Sequence, residues 1–369
     1  MSQYPIEVCV DKTLPLDSIV DAAERSVKEN PSNAPVAPRA LFRSRTTPPS
    51  LDQVRMALLT RRKWQNGRTL NIRFLNGDSV ITQKIQQFAE QWKPHANLKL
   101  NFVSDGNAEI RIGIKWDGDS GSWSYVGTDA LSITDQRKPT MNYGWLRPDS
   151  RDDEYSRVVL HEFGHALGCI HEHQHPENGI PWDREKVYNY YTGPPNNWTR
   201  QQVDHNLFRA YSETSTNYSE FDKQSIMLYA IPNELTIGDY EVGWNRILSD
   251  TDKSFIETQY PFEEKKIVEI TVGDNPVRAE IGKHGEEDTF VFSADKEDEY
   301  TIETHGNTDV VMALFGPDDQ TKSMDEDDDS GKGTNARIDT NLKPGKYYLR
   351  VWHFQPTGTG TYEISVKQL

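Results

Sequence analysis

His161-Glu162-Phe163-Gly164-His165-Ala166-Leu167-Gly168-Cys169-Ile170-His171 sets three imidazoles and one carboxylate at the spacing of a catalytic zinc site. On a helix, His161 and His165 stand four residues apart, so they leave one face a turn apart and can grip one ion. Glu162 shares that helix and can reach a water on the metal. Gly168 tolerates positive φ, which lets the helix stop there and the chain swing back to deliver His171 as a third ligand. Three protein ligands leave one zinc position for water, and the metal lowers that water's pKa until Glu162 can take its proton near neutral pH. A bare His-Glu-x-x-His also occurs on helices that bind nothing. The glycine and the third histidine at fixed offsets set this stretch apart from them.

Outward from the motif, the pattern predicts alternating strands and helices. Thr69 to Leu75 and Leu98 to Val103 read as strands, and Val80 to Trp92 as an amphipathic helix stopped by Pro94. Glu109 to Lys115 carries Ile110, Ile112 and Ile114 with a period of two, the mark of a half-buried strand. Gly121 to Gly127 and Pro139 to Trp145 are two more candidate strands, and Tyr155 to Leu167 is the helix bearing the first two ligands. Further helices are expected at Asp183 to Tyr191, Thr199 to Tyr211 and Thr251 to Tyr260, the last opened by Ser249-Asp250. Beyond Pro261 come short strands separated by Gly, Asp and Asn, about seven in all, the signature of a β-sandwich. The fold class is therefore α+β: a twisted mixed sheet with an active-site helix, followed by an all-β sandwich. The expected domains are a leader at 1–63, a catalytic domain at 64–262 and the sandwich at 263–369.

Composition limits the partners. A formal charge of -16 over 369 residues opposes binding to phosphate backbones and anionic lipid surfaces, so neither nucleic acid nor membrane is expected. No stretch approaches the roughly 20 apolar residues of a spanning helix. Residues 1 to 30 lack the apolar run of a secretory signal. Two cysteines, Cys9 and Cys169, cannot build a disulfide framework.

The extended histidine motif resembles the metzincin zinc proteases, and Glu172 after the third histidine narrows the likeness to the astacin family. Ser225-Ile226-Met227-Leu228-Tyr229 resembles the Met-turn, with Met227 as an apolar floor beneath the ligands. By the resemblance, Tyr229 is a fifth, switchable zinc ligand that swings away and hydrogen-bonds the tetrahedral intermediate. Gly121-Ser122-Trp123-Ser124-Tyr125-Val126-Gly127 looks like the family's substrate-binding edge strand, and Leu248-Ser249-Asp250-Thr251-Asp252 with Tyr260 looks like its closing helix. The likeness covers roughly residues 64 to 261 and implies a zinc endopeptidase with Glu162 as general base, acting on proteins or peptides. It also favours a secreted over a cytoplasmic setting, although no signal peptide is visible. The chain departs from the family pattern at Ser122, where a disulfide cysteine is usual, at Leu228 in place of histidine, and in the longer stretch His173 to Arg184. His173 and His175 are read as surface or hydrogen-bonding residues, since three ligands are already supplied.

Family zymogens are held latent by a zinc-binding group from the leader, and Cys9 is the only upstream thiol. Rivals are Asp11, Asp17, Asp21 and Asp52, and a purely structural Cys9 is equally open. Glu172 matches the residue that receives the new N-terminus in mature astacins. Arg61-Arg62-Lys63 is an evident target for an activating protease. The sandwich resembles the bacterial pre-peptidase C-terminal domain through Asp288-Thr289-Phe290-Val291-Phe292, Tyr300-Thr301-Ile302, Thr308-Asp309, Asp329-Ser330-Gly331 and the run Pro344 to Val351. Asp327, Asp328 and Asp329 can offer oxygen ligands to calcium or form an ordinary solvated loop. Two rival functions are a binding protein with a degenerate zinc site and a zinc hydrolase of small molecules. The intact Glu162 speaks against the first.

Overall fold

The computed structural model describes residues 9–10, 12–35, 61–174, 178–194, 196–208, 221–262, 267–355 and 357–369. These fall into two compact units. Of the described residues, the first unit takes those up to Ser18 and those from Arg62 to Tyr260; the second takes those from Ile19 to Arg61 and from Pro261 onward. The leader is thus divided between the two units.

In the first unit, strands β1 (Thr69–Phe74), β2 (Lys99–Phe102), β3 (Ile110–Ile114), β4 (Trp123–Ser124) and β5 (Met141–Tyr143) form one sheet in the order β2-β1-β3-β5-β4. All pairings are parallel except β4 against β5, which is antiparallel and leaves β4 at the edge. The expected half-buried β3 is instead covered on both faces, because it lies mid-sheet: Ile110, Arg111 and Ile112 are all buried. Arg111 is tolerated there because its guanidinium donates to the carbonyls of Ala108, Lys138 and Ile133 at 2.7, 2.8 and 2.6 Å. The helix Ser79–Ala89, capped by Asp78, packs Ile81, Ile85 and Phe88 into the core.

The active-site helix runs Asp152–Ala166, with Asp152, Asp153 and Glu154 in its first turn where the helix dipole favours negative charge. From Tyr155 to Ala166 every residue is buried, so this helix is the central rod of the unit rather than a surface element. The helix expected at Thr199 to Tyr211 is a short one, Arg200–Val203, capped by Thr199 and continued as a wider π turn over Asp204–Phe208. Its last expected residues lie outside those described.

The second unit packs a sheet β11-β10-β13-β8-β6 against a sheet β12-β9-β14-β7. Their ranges are β6 Val268–Glu269, β7 Val277–Ile281, β8 Glu287–Ala294, β9 Asp298–Gly306, β10 Val310–Phe315, β11 Ser323–Asp327, β12 Arg337–Leu342, β13 Gly345–His353 and β14 Gly360–Gln368. Nine strands form among the described residues where the sequence predicts about seven. β11 contains Asp325 and Glu326, and its charge reads as loop. It is an edge strand, where charge is tolerated and blocks pairing with other chains.

Candidate active site

Gly168 adopts φ +102 and closes the helix, with Cys169 N–H donating to the Gly164 carbonyl at 2.9 Å. The chain then returns His171 to the helix face. Its Nε2 lies 3.1 Å from Nε2 of both His161 and His165. Among the described residues these three histidines are the sole group of three or more His, Cys, Asp or Glu whose ligand atoms lie within 4.8 Å of one another.

Two carbonyls set the tautomers. His161 Nδ1 faces Ile226 O at 2.8 Å and His165 Nδ1 faces Cys169 O at 2.9 Å, so each proton sits on Nδ1 and each Nε2 lone pair turns to the shared point. Burial, then the neighbouring His165 and His171, depress the His161 pKa far below the usual range, which keeps the ring neutral and able to ligate. Nitrogens at about 2.05 Å from a tetrahedral zinc stand about 3.3 Å apart, so this donor set fits the ion. Glu162 is fully buried on the same helix.

Beneath the ligands, Met227 is buried and accounts for the glycine inside the motif. A Cβ on Gly164 would meet Met227 Sδ at 2.4 Å and Trp92 Cζ2 at 3.3 Å. Gly164→Ala is therefore expected to cost about 1–3 kcal/mol through overpacking. Thermal unfolding of the metal-free protein checks it, and an unchanged midpoint would mean that the Met-turn does not press on the helix.

Asp252 has a role that its place in the sequence does not disclose. Its carboxylate accepts from Ser225 Oγ at 2.7 Å, Ile226 N at 2.8 Å and Ser249 N at 2.9 Å. It thereby fixes the loop whose Ile226 carbonyl orients His161. The available signal was the capping pair Ser249 and Asp252, legible as a helix start but silent about the Met-turn. Trp64 is a second such residue. It is fully buried, and its Nε1 donates to Ala166 O at 2.8 Å, tying the start of this domain to the end of the active-site helix.

Cys9 comes into this site. It is buried, its carbonyl accepts from Tyr229 Oη at 2.5 Å, and Val10 N–H donates to Ser122 O at 3.0 Å. Lys12 bridges in parallel to Tyr125, so the leader lies on the β4 edge. Burial, then the charge and hydrogen bond of Glu162, push the Cys9 thiol well up. Asp17 and Asp21 are exposed, and Asp11 and Asp52 lie outside the described residues. Tyr143 Oη is buried with no hydrogen-bond partner; burial, Glu162 and Cys9 raise its pKa.

The remaining expected residues are placed as follows. Tyr229 packs at 4.5 Å from the rings of both His171 and His173. His173 is buried, with Nε2 at 2.5 Å from Asn206 O, while His175 is outside the described residues. The Glu172 carboxylate accepts from Asp222 N at 2.8 Å, and burial pushes it up to about 8. Ser122 is buried and accepts from Gly144 N at 3.2 Å, and Leu228 joins Ile180, Ile231 and Val242 in a small cluster. The basic run is engaged: Arg61 pairs with Glu287 and Arg62 with Asp129, each at 2.8 Å. Asp327 ends β11 buried, accepting from Ser330 N, Ser330 Oγ and Arg337 N at 2.9, 2.6 and 2.8 Å.

The profile of the Astacin peptidase family matches residues 58–236. The solved structure titled "Structure of myroilysin" is 48% identical, with 55% of this chain and 97% of that chain covered and a TM-score of 0.53. This chain belongs to the astacin family. Its histidine triad and Glu162 make this astacin a zinc-dependent endopeptidase. A second structure, "Crystal structure of myroilysin", is 49% identical over 54% of this chain and 86% of that one, with a TM-score of 0.44. The second unit of this astacin carries the Bacterial pre-peptidase C-terminal domain at residues 286–352. The pre-peptidase C-terminal domain of a collagenase from Bacillus anthracis is 22% identical over 28% of this chain and 98% of that one, with a TM-score of 0.25. No curated protein matches the chain. Among the described residues no helix is long and apolar enough to cross a membrane.

Proposed function

We propose that this astacin is made latent, with residues 1–63 as a pro-segment, 64–262 as the catalytic domain and 263–369 as the sandwich. The single observation carrying the reading is the placement of Cys9 against Tyr229 and Glu162 beside the three converging histidines. Alone, a buried thiol beside a carboxylate stays protonated and inert; Cys9 would join the residues holding a divalent cation there, as a thiolate. The leader also takes the free backbone of β4, the edge on which an extended peptide would add, so it competes with substrate twice.

Bound by His161, His165 and His171, zinc supplies a Lewis acid for the scissile carbonyl and an acidified water. Glu162 takes a proton from that water and returns it to the leaving amine. Tyr229, freed from the Cys9 carbonyl, would be placed to donate to the developing oxyanion and would be the candidate for a switchable further ligand. Glu172, at the end of the ligand loop, is the partner for a new N-terminus after an activating protease has cut. Protein or peptide substrates and export from the cell are the matching partners and setting.

Calcium in the sandwich is a lesser proposal. Asp327, Asp328 and Asp329 set three consecutive carboxylates at the end of β11, oxygen ligands of the kind calcium takes. Calorimetric titration of calcium into the full chain, with Asp328→Asn as control, decides it; the absence of binding heat removes it.

The test of the main reading is casein digestion by the full chain and by a chain starting near Trp64, each with and without a chelator. The shorter chain is expected to digest casein, to lose that activity to the chelator and to regain it with zinc. Digestion that survives complete zinc removal would end the reading.

A further inference from the structure

Arg350, on β13, is a buried cation that divides its contacts between the sandwich and the leader. Its Nη1 donates to Ala34 O at 3.0 Å and Ser32 O at 3.3 Å, and its Nη2 to Pro31 O at 3.0 Å and Gln320 O at 3.1 Å. Three of these four carbonyls belong to one turn of the leader. The guanidinium lies 4.2 Å from the Phe315 ring centroid, and Glu287 on β8 approaches it at 4.0 Å while pairing with Arg61 at 2.8 Å. Burial draws the Arg350 pKa down to about 10, with Glu287 opposing the shift.

The leader side is built to be read. The helix Ile19–Glu29 buries Ala22 and Ser26, and Asn30 caps the turn Pro31–Asn33 by accepting from Ser32 N at 3.0 Å. Asn33 donates to Ser26 O at 3.0 Å and Ser26 Oγ at 2.9 Å, and Ser26 Oγ in turn donates to Arg61 O at 2.7 Å. Both ends of the segment 33–61 are thereby fastened to one helix.

We propose that the C-terminal sandwich is the receptor for the leader, with Arg350 and Glu287 reading the turn at Pro31–Ala34 and Arg61, and that this docking retains Cys9 in the catalytic cleft. The proposal rests on the latency reading above. A buried guanidinium stripped of its acceptors loses more than the hydrogen bonds themselves, so leader and sandwich separate reluctantly. Nine residues separate Cys9 from Ile19, at most about 35 Å of chain, so the docked helix tethers the thiol segment and its release frees that segment to leave. One cut between residues 35 and 61 then leaves the leader bound, and full activity awaits its release from the sandwich.

The experiment compares the full chain with Cys9→Ala, Arg350→Met and Ala22→Lys. Two quantities are read: casein hydrolysis by the uncut protein, and the rate of Cys9 alkylation by iodoacetamide followed by mass spectrometry, with buried Cys169 as internal reference. Arg350→Met and Ala22→Lys are each expected to raise both about tenfold or more, the effect of losing hydrogen bonds to a charged group. Wild-type alkylation rates in both variants would overturn the docking, whatever the casein result. Cys9→Ala without any gain in casein hydrolysis would instead overturn latency, while alkylation still decides the docking. If Arg350→Met does not fold, Ala22→Lys decides, because it leaves every sandwich residue intact.

Discussion

Replacing Glu162 by alanine is expected to abolish about three orders of magnitude of peptide hydrolysis, within the range of roughly 10²–10⁴ that a positioned acid–base group contributes. The variant should keep its zinc, because His161 and His165 are oriented by the carbonyls of Ile226 and Cys169 and not by that carboxylate. The measurement is kcat/KM on the activated form, with zinc content by atomic absorption and the melting curve alongside. Activated protein is required because Glu162 also touches the Cys9 thiol, and an assay of the uncut chain would mix catalysis with latency. Turnover retained within a factor of a few, at full zinc occupancy, would remove Glu162 from the mechanism.

Cys9→Ala is expected to act in the opposite direction, raising the activity of the uncut chain. If the leader opens the cleft about 1% of the time, loss of its anchoring group raises activity by at most about a hundredfold. Val10 still pairs with Ser122 in the variant, so part of the competition at the β4 edge persists. Cys9→Ser serves as the control, since a hydroxyl keeps the shape and lacks the affinity of thiolate for zinc. Unchanged activity in both variants, against a strong gain on truncation near Trp64, would leave Cys9 as a packing residue only.

These two expectations differ in how far the sequence carried them. Glu162 and its histidines are legible in eleven consecutive residues, since helical geometry converts the spacing His161, His165 and Gly168 into a face and a stop. Cys9 meets Tyr229 across more than two hundred residues of chain. The sequence offered a thiol and four aspartates as candidates, and only the folded chain put Cys9 O within reach of Tyr229 while leaving Asp17 and Asp21 in solvent.

Local periodicity also placed most elements of both units, because amphipathic helices and alternating strands record their own burial. It failed where burial was decided by neighbours. The strand carrying Arg111 read as half-exposed, since nothing local says that β1 and β5 will flank it. The acidic β11 read as loop, since an edge position that tolerates charge is a property of the sheet.

By itself, then, the sequence determined the histidine triad and its attendant carboxylate, both set by short-range covalent spacing. Tertiary structure alone decided what supports and restrains that chemistry. Asp252 holding the Met-turn, Met227 demanding glycine at 164, and Arg350 gripping the leader turn are contacts between distant segments, and their energies exist only once folding has excluded water and brought donor to acceptor.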